Sequence, residues 1–138
     1  MTAKTLVCLD VGERRIGVAV GDTAIRIPVP ITTVEVDGTE LQQLTALIKH
    51  EGAETVVIGY PRNQQGEVTK QTAYVEVFAT QLKEAEGFSA EVVFQDESLT
   101  SVIAEQRLIN HKKPYTKADI DAQAASIILG DYMEKYYG

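Results

Sequence analysis

The sequence has little of what membrane-spanning, secreted and disulfide-linked proteins require. Among its 138 residues, Cys8 is the only cysteine, so no disulfide can form within the chain, as is typical of a reducing cytoplasm. No apolar stretch approaches the ~20 residues of a membrane span, and the N-terminus has no signal-peptide core. We therefore expect a cytoplasmic protein without a membrane segment. The length predicts a single domain over residues 1–138.

The chain also lacks an excess of basic residues. It has 13 Lys and Arg residues against 20 Asp and Glu residues, which gives a formal net charge of −7. This balance argues against a large, nonspecific surface for nucleic-acid phosphates. Neither His50 nor His111 has a zinc-like spacing, and there is no second cysteine, so we expect no zinc site. The acidic residues are left as candidates for a metal site or for a surface away from any substrate.

Apolar patterns along the chain predict an α/β fold. Four β-branched runs indicate strands, and a weaker fifth follows the second: 6–11, 16–20, 31–36, 55–58 and 90–94. Helical spacing of apolar residues predicts two helices that end near Gly52 and Gly87, a shorter one around 102–108, and a last one over 117–136. The resulting order, β-β-β-α-β-α-β-α-α, predicts a mixed sheet with helices on its faces.

Acidic residues stand where two of these strands end. Asp10 closes the first strand, and the pair Asp96-Glu97 follows the last one. Sites in α/β sheets form at the carboxyl ends of strands, so these acids could converge. In the last helix, Asp121 lies on the apolar face among alanines, which would let the helix approach the sheet closely. A carboxylate aimed inward is costly unless something compensates its charge.

Three carboxylates without a matching cluster of Lys or Arg favour a hard divalent cation, Mg²⁺ or Mn²⁺. Such ions suit the attack of water on a phosphodiester. Simpler interpretations remain open at this point. Asp10 also fits a turn, Asp96-Glu97 also fits the start of a helix, and Asp121 also fits an ion pair with a basic residue. The spacing does not distinguish Asp96 from Glu97 as the metal ligand that stands between Asp10 and Asp121 in the sequence.

These residues also carry a resemblance to a known family. Four segments, at 9–21, 57–66, 96–101 and 120–129, resemble the opening hairpin, the Gly-x-Pro loop, the Asp-Glu-Arg-Leu-Thr segment and the closing helix of the YqgF/RuvX family. Its members are Holliday-junction-resolvase-like proteins described as pre-16S rRNA nucleases. The resemblance extends nearly end to end. It implies an RNase H-like fold, with a five-stranded mixed sheet flanked by helices, and metal-dependent phosphodiester hydrolysis.

The resemblance also assigns site residues by matching position. It makes Asp10, Glu97 and Asp121 the catalytic, metal-binding carboxylates, and so chooses Glu97 over Asp96. One departure is Ser98, which stands where the family usually has Arg. If that Arg contacts phosphate, its role is vacant in this chain.

Few basic residues are placed to meet a substrate near these acids. We expect three loops to form a basic collar around the acidic centre, with Lys112 and Lys113 alternatively a solvated charge pair. The candidate substrate-binding residues are Arg14, Arg15, Arg62, His111, Lys112 and Lys113.

The expected function is hydrolysis of nucleic acid, with 5′-end processing of precursor 16S rRNA as the leading hypothesis. The closest rival is a Holliday-junction resolvase that cuts branched DNA, which requires two active sites and hence a dimer. No dimer patch is clear in the sequence, so we expect a monomer or a weak homodimer. A sugar or acetate kinase-like lobe would need a second lobe, and a non-catalytic nucleic-acid-binding module remains a further alternative.

Overall fold

The computed structural model describes residues 3–63, 65–97, 106–110 and 116–138. Eight elements are labelled here in chain order: β1 (Thr5–Val11), β2 (Arg15–Asp22), β3 (Val29–Glu35), α1 (Glu40–Glu51), β4 (Thr55–Pro61), α2 (Lys70–Lys83), β5 (Glu91–Glu97) and α3 (Lys117–Tyr137). Their order agrees with the predicted one. The short helix predicted around 102–108 lies partly outside the described residues, and 106–110 are helical.

The five strands form one mixed sheet of order β3-β2-β1-β4-β5. β1 pairs with β2 as the predicted antiparallel hairpin, and β2 pairs with β3. β1, β4 and β5 are parallel neighbours, so their carboxyl ends meet at the same end of the sheet. This confirms the predicted fold class and sets the place of a site.

Strand side chains alternate between two apolar layers. On one face, β1 contributes Val7 and Leu9 to a core that α1 and α2 close. On the other face, it contributes Leu6 and Cys8 to a core that α3 closes. Cys8 is completely buried, as expected of a small apolar residue. In the described residues, no helix is long and apolar enough to cross a membrane.

The helix α3 begins with a capping box. The Thr116 hydroxyl accepts a hydrogen bond from the Asp119 N–H, and the Asp119 carboxylate accepts one from the Thr116 N–H. Asp119 is therefore exposed and serves the cap, outside the acidic cluster. Helical spacing puts Ala122 and Ser126 on the same stripe as Asp119, which the sequence alone indicates to be the outer face. That interpretation is wrong, because both residues are buried where α3 lies across β1, β2 and β3 together.

Candidate active site at the carboxyl end of the sheet

Three acidic side chains lie on the α3 face of the sheet. Asp10 follows Cys8 by two residues on β1, and Cys8 belongs to the apolar layer beneath α3. Glu97 is four residues after Val93 on β5, which packs against the same layer. Because side chains alternate along a strand, Asp10 and Glu97 share this face. Asp121 lies near the start of α3, the helix that packs on this face of the sheet.

Strand alternation separates the two neighbours that spacing left tied. Asp96 lies between Gln95 and Glu97 on β5, so its side chain points to the opposite face of the sheet. There its carboxylate accepts a hydrogen bond from Arg62 Nε at 3.1 Å. Glu97 is the member of the pair that faces the same side as Asp10.

Two glycines make room for the other acids on either side of Asp10. Gly17 is the β2 partner of Asp10, and a Cβ added there would lie 2.0 Å from the Asp121 carbonyl oxygen. On the other side of Asp10, Gly59 follows Ile58, which is the β4 partner of Leu9. A Cβ added at Gly59 would lie 2.6 Å from Glu97 Oε2. Sequence reasoning missed both residues. The available signal was a glycine inside a strand, which often marks a close approach.

The negative charges at this site are poorly compensated. Burial, with the Asp121 charge adding to it, raises the pKa of Asp10 to about 7. Burial, with the Asp10 charge adding to it, raises the pKa of Glu97 to about 8. Among the described residues, Glu97 Oε2 is buried without a hydrogen-bond partner. A buried carboxylate oxygen in this state requires a proton or a cation.

Asp121 has a basic partner. Arg15 Nε donates a hydrogen bond to Asp121 Oδ2 at 2.8 Å, and both side chains are partly buried. The ion-pair interpretation of Asp121 is therefore realised in this structure. Across the described parts of the chain, no three His, Cys, Asp or Glu side chains are placed to hold one metal ion together. Asp10 and Glu97 share one face of the sheet, while the Asp121 carboxylate is turned towards Arg15.

The predicted basic collar is only partly described. Arg14 is exposed in the β1–β2 turn, whereas Arg15 begins β2 and contacts Asp121. Arg62 pairs with Asp96, whose side chain lies on the face away from Glu97. Ser98 and the segment 111–115, with His111, Lys112 and Lys113, lie outside the described residues. Of the three candidates within the described residues, Arg15 contacts a predicted site carboxylate.

We expect Arg15→Gln to lower the free energy of unfolding by about 0.5–1 kcal/mol, because the ion pair is only partly shielded from water. In a double-mutant cycle with Asp121→Asn, the coupling should account for most of that loss. Urea unfolding in EDTA measures it, with exposed Arg14→Gln as the matched control. Additive effects of the two substitutions would mean that the pair contributes nothing to stability.

The sheet order and the acids at its carboxyl end place the chain among proteins of the RNase H-like fold. Two of the solved structures similar to it are Thermus thermophilus RuvC in complex with a Holliday junction substrate and the Fowlpox virus resolvase with Holliday junction DNA. The first has a TM-score of 0.60 at 15% identity, covering 97% of this chain and 96% of that chain. The second has a TM-score of 0.55 at 14% identity, covering 97% and 99%. At such identities the similarity concerns the fold alone.

Sequence comparison identifies the family. The sequence model of the family described as "RuvX: Holliday junction resolvase" matches residues 4–135, and the chain belongs to this family. A Chloroflexus aurantiacus protein named "Putative pre-16S rRNA nuclease" is 44% identical over 138 residues, covering 97% of this chain and 89% of the relative. A protein of the same name from Chloroflexus aggregans is 42% identical, covering 97% and 96%. The resemblance drawn from the motifs is thereby confirmed.

Proposed function

We propose that this chain is a nuclease that hydrolyses phosphodiester bonds in precursor 16S rRNA, using Mg²⁺ or Mn²⁺ held by Asp10, Glu97 and Asp121. The observation that carries the proposal is that Asp10 and Glu97 share one sheet face, where Glu97 Oε2 is buried without a hydrogen-bond partner among the described residues. Membership of the RuvX family and the names of its relatives support the reaction and the substrate.

The donor set fits a hard divalent cation. All three candidate ligands supply carboxylate oxygens, which Mg²⁺ and Mn²⁺ prefer. Glu97 Oε2 is the buried oxygen that lacks a partner, and Asp10 lies between the other two acids. When bound, the cation supplies Lewis-acid polarisation of the phosphoryl oxygen and activation of water. Asp10 and Glu97 would hold it first, and Asp121 would complete the set by turning from Arg15.

Arg15 is well placed to act on the phosphate side of the site. It is a cation within hydrogen-bond distance of a proposed ligand, in a chain whose net charge is −7. If Asp121 turns to the metal, the Arg15 guanidinium keeps its charge and its fork of donors for a phosphate oxygen. We therefore retain Arg15, with Arg14 beside it, as a proposed substrate-binding residue. Arg62 is retained for a different contact, described below, and Lys112 and Lys113 stay predictions.

Resolution of a Holliday junction is the second candidate function, because the matching family model is described by that activity. It requires two active sites, hence a dimer. The structure shows an exposed apolar row that the sequence analysis did not identify, along the edge strand β3 and the loop before it. Its members are 42–67% exposed: Ile25, Ile27, Val29 and Ile31. An exposed apolar row of this kind can pack against a second copy of the chain. Measuring the oligomeric state therefore helps to distinguish the resolvase from the RNA nuclease.

The test uses purified protein with labelled precursor 16S rRNA and a labelled four-way DNA junction, each in Mg²⁺, Mn²⁺ or EDTA. We expect cleavage of the precursor RNA in Mg²⁺ or Mn²⁺ and none in EDTA. Paired, symmetric cuts in the junction by a dimer, without cleavage of the RNA, would favour the resolvase instead. Cleavage of neither substrate, or equal cleavage in EDTA, would contradict the metal-dependent nuclease.

A further inference from the structure

The face of the sheet away from the acids carries an exposed aromatic cleft between α2 and the ends of β4 and β5. Its volume is about 540 Å³. Tyr60 and Phe94 form its floor in an edge-to-face contact, with ring centres 5.1 Å apart. Phe94 remains 39% exposed, although an aromatic ring that only closed the core would be covered. The exposed ring marks this cleft as a surface that can bind a flat apolar group.

The cleft also concentrates positive charge in an acidic chain. The Arg62 guanidinium lies 5.0 Å from the centre of the Tyr60 ring. Lys83 and Lys135 line the same cleft, as do the carboxylates of Glu76 and Asp96. Three cations against two carboxylates give the cleft a net charge of +1, whereas the whole chain carries −7. The positive balance of the cleft favours a ligand with negative charge.

The two carboxylates of the cleft hold its binding groups in place. Glu76 accepts a hydrogen bond from the Tyr60 hydroxyl, and Asp96 accepts one from Arg62 Nε. These contacts orient the ring and the guanidinium plane in the free protein. Binding to such a preorganised surface loses less conformational entropy than binding to mobile side chains.

The cleft lies at the same end of the sheet as the acids, on the opposite face. Tyr60 directly follows Gly59, and Asp96 directly precedes Glu97, so β4 and β5 each place neighbouring residues on the two faces. β5 is an edge strand of the sheet. A nucleic-acid strand that passes around this edge beside Asp96 and Glu97 can contact both faces.

We propose that this cleft binds an unpaired nucleotide in the single-stranded part of the substrate that flanks the scissile bond, an inference that rests on the proposed function. The base stacks on the exposed ring of Phe94, beside the Arg62 guanidinium that covers the Tyr60 ring, and Lys83 contacts the phosphate. Aromatic rings and guanidinium planes are the surfaces on which unstacked bases bind in proteins that read single strands.

The test measures the Kd of a fluorescent, unstructured RNA 12-mer for full-length protein carrying Asp10→Asn, which keeps the RNA intact. Adding Phe94→Ala should weaken binding by about tenfold, the typical effect of removing one base-stacking ring. Phe94→Leu keeps an apolar side chain without a ring and should weaken binding almost as much. Tyr60→Phe keeps the ring but loses the hydrogen bond to Glu76, and it should weaken binding less than Phe94→Ala does. Lys83→Ala should lower the slope of log K against log salt by about 0.7.

Matched controls separate stacking from a general loss of surface. Ile27→Ala removes an exposed apolar side chain elsewhere, and Lys49→Ala removes an exposed lysine from α1; neither should change the Kd. The same RNA annealed into a duplex should bind Phe94→Leu and the parent protein equally, because paired bases cannot stack on the ring. Unchanged binding of the single strand by Phe94→Leu, or an equal loss for the duplex, would overturn the proposal.

The result can be told apart from the outcome for the nuclease. Binding of the RNA that depends on Phe94, in a protein that cleaves no substrate in any cation, would retain the cleft and remove the catalytic proposal. Metal-dependent cleavage by the parent chain, with RNA binding indifferent to Phe94, would retain the nuclease and remove the cleft.

Discussion

Asp10→Asn is expected to lower the rate of Mg²⁺-dependent cleavage by about 10³-fold or more, since a catalytic cation supplies several kcal/mol of charge stabilisation. The amide keeps the shape of the side chain but loses the charge between Glu97 and Asp121. Single-turnover cleavage of precursor 16S rRNA measures the loss. Glu84→Gln, which neutralises an exposed carboxylate at the end of α2, is the matched control and should cleave at the parent rate.

The same substitution should stabilise the metal-free protein, and this stabilisation should increase with pH. The pKa of Asp10 is raised from 3.8 to about 7 in the folded state. A group with a raised folded pKa contributes its full stability below the unfolded value, and that contribution is lost as pH rises through the folded one. The advantage of Asp10→Asn over the parent should therefore grow from about pH 4 to about pH 7 and level off above that, by an amount on the order of a few kcal/mol.

Urea unfolding in EDTA at several pH values measures this advantage. A constant difference between the two proteins across the range would mean that Asp10 is well solvated, and the proposed site would lose its main electrostatic support. Full cleavage by Asp10→Asn would remove Asp10 from the mechanism, whatever the stability shows. The two measurements therefore test separate parts of the hypothesis.

Part of this site was predictable from local patterns. Strand ends placed Asp10 and the Asp96-Glu97 pair, and helical spacing turned Asp121 inward. Spacing could not show which of Asp96 and Glu97 faces Asp10, because the apolar run of the last strand stops at Phe94 whereas β5 continues to Glu97. Only the family resemblance favoured Glu97 beforehand, and the alternation of β5 gives the physical reason.

Contacts between distant parts of the chain were not predictable. Arg15 and Asp121 are 106 residues apart, and nothing local says that the start of β2 lies under the start of α3. Arg62 was expected beside the acids because its loop follows a strand end, yet Asp96 holds it on the other face. The roles of Gly17 and Gly59 depend on tertiary contacts in the same way. In each case the missing information was which elements meet across the sheet.

Gly17→Ala is expected to cause the largest loss of stability of any substitution considered, about 3 kcal/mol, at the upper end of overpacking effects. Its added Cβ would lie 2.0 Å from the Asp121 carbonyl oxygen and 2.9 Å from the Ala122 nitrogen. These are backbone atoms of a helix, so no side-chain rotation can relieve the clash. Either α3 moves off the sheet or β2 bends, and both disturb the core beneath α3.

Gly59→Ala provides the informative contrast. Its Cβ would first meet Glu97 Oε2 and Ile128 Cδ1, at 2.6 and 2.8 Å, and both atoms end side chains that can rotate. We therefore expect a smaller loss of stability, about 1–2 kcal/mol, but a large loss of cleavage because Glu97 is displaced from Asp10. Gly17→Ala should lose both, since moving α3 carries Asp121 away.

Gly130→Ala is the control for replacing a glycine as such. A Cβ there would lie 3.4 Å from Pro28 Cγ, which is an ordinary contact, and alanine favours a helix interior over glycine by about 1 kcal/mol. It should leave stability unchanged or raise it. Urea unfolding of the three variants in EDTA, beside their cleavage rates, decides the matter. A Gly17→Ala protein as stable as the parent would show that α3 does not rest on Gly17, and the approach of Asp121 to Asp10 would lose its structural basis.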